Sequence, residues 1–266
     1  MKKIKFIDDF IKIISNMYRL GWNERNGGNI SYLIDEKEFV NSGINLNINR
    51  LIKVNFDMTE LIGKRFLVTG TGKYFKNVED NPEENIGIVE VVDKDNLGVL
   101  WGFNDGVNPT SELPSHFMTH IERLKINPKN KVVIHTHPTN IIAMTFIHSL
   151  DEREFTRTLW RMCTECLVVF PDGVGVLPWM LCGNGEIGIA TTEKMKKQRL
   201  VVWAHHGIFG TGESIDEAFG LIETAEKAAE IYLKICDKQI LQTITDSELK
   251  ILADKFNVIP RIGYLD

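Results

Sequence analysis

The sequence predicts an α/β fold made as one domain, with a sheet covered by helices on both faces. Short runs rich in β-branched and aromatic residues recur along the chain, and segments of helical periodicity lie between them. No internal repeat and no Pro- or Ser-rich linker divides the 266 residues. At roughly 150 residues per domain this length permits one large domain or two small ones, and the unbroken alternation favours one.

The first element is a helix over 5–20, because Phe6, Phe10, Ile13, Met17 and Leu20 recur at spacings of three and four. An N-G-G-N turn at 26–29 follows it. Strands are predicted at 30–34, 65–69, 86–92, 97–102, 131–135, 166–170 and 199–203, and the Asn-rich stretch 41–49 reads as a surface loop. Helical patterns fall at about 113–126, 138–149 and 185–197. Ser214 and Glu217 form an S-x-x-E cap before apolar residues at Ala218, Phe219, Ile222, Ala225, Ala229, Tyr232 and Cys236, which predicts a helix of about six turns. These residues leave strand direction open.

Composition narrows the function. The chain is 43% hydrophobic and 25% charged, which excludes disordered, collagenous and disulfide-scaffold classes. A formal charge of -5 gives no broad footprint for nucleic acid, although a small phosphate can still find a local cluster of donors. No apolar run reaches about 18 residues, and Asp8 and Asp9 stand where a signal peptide keeps its apolar stretch. The expectation is a cytoplasmic protein without nucleic-acid or membrane partners. Of four cysteines only Cys163 and Cys166 are close, as a lone C-x-x-C that lacks the second pair of a zinc site and reads as inert thiols.

The sharpest local signal is Val132-Val133-Ile134-His135-Thr136-His137-Pro138. Residues i and i+2 of a strand share a face, so His135 and His137 can bring two imidazoles to one metal before Pro138 ends the strand. Two histidines without a ligand role would be the bland alternative. The remaining candidates for a third ligand are His116, His120, His148, His205 and His206. His206 is preferred because it follows the apolar run Leu200–Trp203, and only one of the neighbours His205 and His206 can face the cleft. His116 and His120 form a weaker H-x-x-x-H, with Phe117 where a zincin helix carries its glutamate.

Three imidazoles with an open fourth position describe a catalytic zinc, which needs a proton-transfer group beside it. Glu112 is the best carboxylate, at a loop-to-helix junction between Pro109 and Pro114, although a helix N-terminal acid that only complements the dipole would look the same. Three polar loops suit a small phosphate: Asn26-Gly27-Gly28-Asn29, Gly70-Thr71-Gly72-Lys73 and Thr110-Ser111. None is a Walker A loop, since Leu67 and Tyr74 hold the positions that motif reserves for Gly and Ser or Thr.

Together, E-R-N-G-G-N at 24–29, T-G-T-G-K at 69–73, P-T-S-E-L-P at 109–114, H-T-H-P at 135–138 and H-G-I-F-G at 206–210 resemble the class II aldolase/adducin family. The likeness runs from about residue 6 to residue 258. It implies a three-layer α/β/α single domain with a central, mostly antiparallel sheet. It also implies a cyclic homotetramer with one zinc per subunit and sites between subunits. The implied activity is reversible aldol cleavage of a phosphorylated ketose, L-rhamnulose 1-phosphate, to dihydroxyacetone phosphate and L-lactaldehyde. The alternatives are cleavage of L-fuculose 1-phosphate and 4-epimerisation of L-ribulose 5-phosphate. The string T-E-C-L-V-V-F-P-D-G-V-G-V-L-P-W-M at 164–180 favours rhamnulose phosphate. On matching positions His135, His137 and His206 would bind zinc, and Glu112 would exchange the proton at the nucleophilic carbon. Asn26, Asn29, Thr71, Gly72, Thr110 and Ser111 would surround the phosphate, with Thr71 where serine is expected. Glu165 would reach a neighbouring subunit's site and handle the hydroxyl proton of the aldehyde half. A noncatalytic adducin-like domain is the reading from another class, and retention of all three histidines together with Glu112 argues against it.

Overall fold

A computed structural model describes residues 4–183 and 185–265. The chain runs α1 (Lys5–Arg19), β1 (Asn29–Ile34), α2 (Glu36–Ser42), β2 (Arg50–Lys53), β3 (Arg65–Thr69), α3 (Pro82–Asn85), β4 (Ile86–Val91) and β5 (Asn96–Gly102). It continues through α4 (Leu113–Ile126), β6 (Val132–Thr136), α5 (Thr139–Ile147), α6 (Glu152–Met162), α7 (Thr164–Val169), β7 (Val174–Leu177) and α8 (Gly185–Met195). It closes with β8 (Leu200–Trp203), β9 (Gly207–Gly212), α9 (Ile215–Ile235) and α10 (Asp246–Phe256).

The strands form one nine-stranded sheet in the order β2-β5-β4-β3-β1-β6-β9-β8-β7. Every pairing is antiparallel except β7 with β8, so the mostly antiparallel three-layer fold implied by the resemblance is the one observed. Strand alternation divides the core. Ile30, Tyr32 and Ile34 of β1, with Val132 and Ile134 of β6, pack into a cluster shared with α1, α5, α6, α9 and α10. On the opposite face, Leu33 meets Leu113 and Phe117 of α4, and Val133 meets Ile187 and Met195 of α8. Each such buried side chain contributes about 1.5–3 kcal/mol relative to exposure.

The predicted helices appear within a few residues of their expected bounds. At α9 the Ser214 hydroxyl accepts the Glu217 N–H at 3.1 Å, while the Glu217 carboxylate reaches the N–H of Glu213, so the cap is one-sided. One prediction is corrected: 166–170 lies mostly in helix α7, although Cys166-Leu167-Val168-Val169-Phe170 is an apolar run that reads as a buried strand. Strands β2, β7 and β9 and helices α2, α6 and α10 add to the sequence-based account. The Asn-rich loop narrows to 43–49, because α2, which starts at a capping box of Asp35 and Glu38, runs on to Ser42 and stops at left-handed Gly43. Among the described residues no helix is long and apolar enough to cross a membrane.

Candidate active site

The centre of the sheet builds the site. β6 lies between β1 and β9, with Asn29 directly opposite His135 on one side and Phe209 opposite it on the other. His135 is stacked on Phe209 at 4.6 Å between ring centroids and leans on Trp203 at 4.9 Å, which leaves it 1% exposed. His137 continues the alternation just past the strand. Behind it the buried Glu226 carboxylate of α9 accepts the N–H groups of Asn140 at 3.0 Å and Ile141 at 2.8 Å, fixing the start of α5.

The third imidazole comes from the turn between β8 and β9. His205 takes the left-handed conformation there (φ 63°), so its ring turns to Thr145 and Phe146 of α5 while His206 turns into the cleft. The ring centroids of His135, His137 and His206 form a triangle with sides of 5.1, 4.9 and 5.0 Å, and one ring nitrogen of each lies within 4.8 Å of the others.

Tautomers prepare these rings for a metal. Nδ1 of His135 lies 3.1 Å from the Ile208 carbonyl, and Nδ1 of His137 lies 3.0 Å from the Glu24 carboxylate. Both partners can only accept, so Nδ1 carries the hydrogen in each ring and Nε2 presents a lone pair. Both Nε2 atoms are buried and have no hydrogen-bond partner. A cation would satisfy them, so the residues fit a metal. Burial, then the like charges of its two neighbours, holds His135 well below the ordinary histidine range; burial and His137 bring His206 down to about 4. All this favours the neutral imidazoles that ligate metals. Packing is tight here: a Cβ on Gly27 would come within 2.8 Å of the His137 ring, so the turn needs glycine.

Glu112 caps the start of α4, 9% exposed, with Oε2 3.6 Å from His135 Nε2. The Asn29 side chain donates to that same oxygen at 2.8 Å. Burial pushes the carboxyl above its ordinary range, partly offset by the Asn29 hydrogen bond and by His137.

The three polar loops meet beside it. Gly70 bridges to Pro109, Thr71 N–H donates to Asn108 at 2.9 Å and Thr110 N–H to Thr69 at 2.9 Å. The Arg50 guanidinium ties down the segment leading into the third loop, through Gly106, Val107 and Asn108. A cavity of 170 Å³ results, lined by Asn26, Asn29, Thr71, Gly72, Thr110, Ser111, Glu112, His135, His137 and His206. Asn29 lines the cavity too, and its amide nitrogen donates to Glu112 while its oxygen faces His116.

Glu165 does not line this cavity. It is exposed on α7, where the Cys163 thiol donates to it at 2.7 Å and holds its carboxyl below the usual range. The four cysteines are free, and burial pushes the Cys166 thiol up. His116 and His120 turn inward onto Ser31 and make no metal cluster among the described residues. Sequence reasoning missed Glu24 as the partner of His137, and it missed Cys182, whose Sγ lies within 4.8 Å of a Glu112 carboxylate oxygen and a His206 ring nitrogen. Only the place of Glu24 inside the E-R-N-G-G-N string hinted at its role.

Comparison with known proteins gives the family. The family model described as "Class II Aldolase and Adducin N-terminal domain" matches residues 8–233. The chain is 59% identical to a rhamnulose-1-phosphate aldolase of Listeria monocytogenes, covering 98% of this chain and 96% of that protein. It is 56% identical to an Enterococcus faecalis protein of the same name, covering 98% and 94%. Among solved structures, a sugar-phosphate aldolase from Thermotoga maritima superposes with a TM-score of 0.75 at 28% identity, covering 88% of this chain and 97% of that one. The chain therefore belongs to the class II aldolase and adducin family.

Proposed function

We propose that the chain is a metal-dependent aldehyde-lyase that reversibly cleaves L-rhamnulose 1-phosphate to dihydroxyacetone phosphate and L-lactaldehyde. The observation that carries this reading is the convergence of three imidazoles, a buried carboxylate and glycine-rich donor loops on one cavity. The names of the relatives supply the substrate. His135, His137 and His206 would hold the ion, which we take to be zinc, one per subunit. Bound there, it would supply positive charge against the negative charge that develops on the ketose oxygens.

The remaining chemistry belongs to the chain. Backbone N–H groups around Gly72 and the hydroxyls of Thr71, Thr110 and Ser111 hold the phosphate, with Asn26 closing the cavity. This anchors the ketose half while the C3–C4 bond breaks. Its electron pair stays with the ketose fragment, and protonated Glu112 delivers a proton to C3; in the synthetic direction Glu112 takes that proton back. A buried carboxyl with a raised pKa suits both tasks. Glu165 of a neighbouring subunit in a homotetramer would take the C4 hydroxyl proton as the aldehyde forms. Such an arrangement suits its exposure outside its own cavity.

Retro-aldol cleavage of L-rhamnulose 1-phosphate against L-fuculose 1-phosphate, with zinc and after chelation, tests the proposal. Zinc-dependent preference for rhamnulose phosphate is expected. Preference for fuculose phosphate would change the substrate, and no cleavage of either by folded, zinc-loaded protein would overturn the reading.

A further inference from the structure

β1 and α4 share an arrangement that the proposed reaction has not used. Asn29 and Ser31 are two apart on the strand and therefore face the same side of the sheet, towards α4. His116 and His120 are four apart on α4 and therefore share the face that meets them. Ser31, His116 and His120 are each 0% exposed. His116 Nε2 lies 2.5 Å from Asn29 Oδ1, His116 Nδ1 lies 2.8 Å from Ser31 Oγ, and the same Oγ lies 2.8 Å from His120 Nε2.

The direction of every hydrogen bond in this row follows from one of them, the donation of the Asn29 amide nitrogen to Glu112. The Asn29 amide nitrogen faces the Glu112 carboxylate, so its oxygen faces His116 and can only accept. His116 must then carry its hydrogen on Nε2 and accept at Nδ1 from the Ser31 hydroxyl. Ser31, its one hydrogen committed, accepts from Nε2 of His120. Nδ1 of His120 ends the row as a buried nitrogen with no hydrogen-bond partner. Four groups are thus polarised towards Glu112, and successive bonds of one direction strengthen one another. Both rings are kept neutral by burial, so the row orients the amide without adding a positive charge beside the carboxyl.

We propose that His116, Ser31 and His120 are positioning residues, a one-directional relay that fixes the Asn29 amide and through it the Glu112 carboxylate beside the three-histidine cluster. The relay rests on the aldolase reading for its catalytic consequence, whereas its hydrogen positions stand independently.

The test uses zinc-loaded holoenzyme and the Ser31→Ala variant, which removes the central link. Cleavage of L-rhamnulose 1-phosphate should fall about tenfold in kcat, with KM within about twofold and zinc content unchanged, as for loss of a supporting hydrogen bond. A kcat within about twofold of wild type in folded Ser31→Ala would overturn the relay. Neutron diffraction of wild-type holoenzyme supplies a second reading that needs no variant. Hydrogen on Nε2 of both His116 and His120 is expected, and hydrogen on Nδ1 of His116 would overturn the relay even if Ser31→Ala does not fold. Wild-type cleavage measured in parallel separates the two ideas: an inactive wild type counts against the aldolase reading, and the hydrogen positions still decide the relay.

Discussion

Asn29 and Glu112, 83 positions apart in sequence, share a buried hydrogen bond of 2.8 Å from the amide nitrogen to Oε2. Two independent features bring them together. β1 pairs with β6 so that Asn29 stands opposite His135, and α4 begins at Glu112 over the same strands. Replacing Asn29 with Ala leaves the carboxylate without this donor. Steady-state cleavage at matched zinc content should show kcat reduced by about 10–100-fold; wild-type kcat would mean that the bond plays no part in turnover.

Glu24 acts on the opposite side of the cluster. Its carboxylate accepts from Nδ1 of His137 at 3.0 Å, which fixes the tautomer that frees Nε2. Glu24→Ala should weaken zinc binding by about 10–100-fold, measured by competition with a chromogenic chelator. Folding should be little affected, because the Glu24 side chain is 69% exposed.

Such handovers explain how much of the site was legible in sequence. His135 and His137 stand out because period-2 alternation is local, and His206 because a strand-like run leads into it. The partners Asn29 to Glu112 and Glu24 to His137 depend on pairings 83 and 113 residues apart, which no local pattern encodes. The fold shows the same division. Strongly β-branched runs were recognised, but Gly207-Ile208-Phe209-Gly210-Thr211-Gly212 reads as a turn-rich segment and forms β9. Its glycines serve packing: a Cβ on Gly210 would lie 2.8 Å from Ile222 and one on Gly212 2.8 Å from the Ala218 backbone, both on α9. Cys166–Phe170 misled for the converse reason, as an apolar run too short for its periodicity to distinguish strand from helix.

Stability should depend on pH through the buried histidines. Burial lowers His120 from 6.5 to about 3, and it lowers His116 in the same direction. Below pH 6.5 the unfolded chain takes up protons that the native state refuses, so stability is full above that pH and is lost as pH falls towards about 3. Urea unfolding of metal-free protein at pH 7.5 and pH 5.0 should differ by on the order of 2 kcal/mol for each such histidine. A flat profile would contradict neutral burial, and His120→Gln should reduce the slope.

Cys182 offers a chemical probe of the cavity. It is free and exposed, with Sγ within 4.8 Å of a Glu112 carboxylate oxygen and a His206 ring nitrogen. Alkylation with iodoacetamide should abolish cleavage, dihydroxyacetone phosphate should slow that loss, and Cys182→Ser should resist it. Equal sensitivity of Cys182→Ser would assign the effect to another thiol.

The most direct measurement is proton exchange at the reacting carbon. Zinc-loaded protein is incubated with dihydroxyacetone phosphate in deuterium oxide, and loss of the hydroxymethyl proton signal is followed by NMR for wild type and Glu112→Gln. Exchange by the wild type at one of the two hydrogens, with none by a Glu112→Gln variant that retains zinc, is the predicted result. Exchange by Glu112→Gln at the wild-type rate would contradict the assignment of Glu112 as the group that moves the carbon-bound proton.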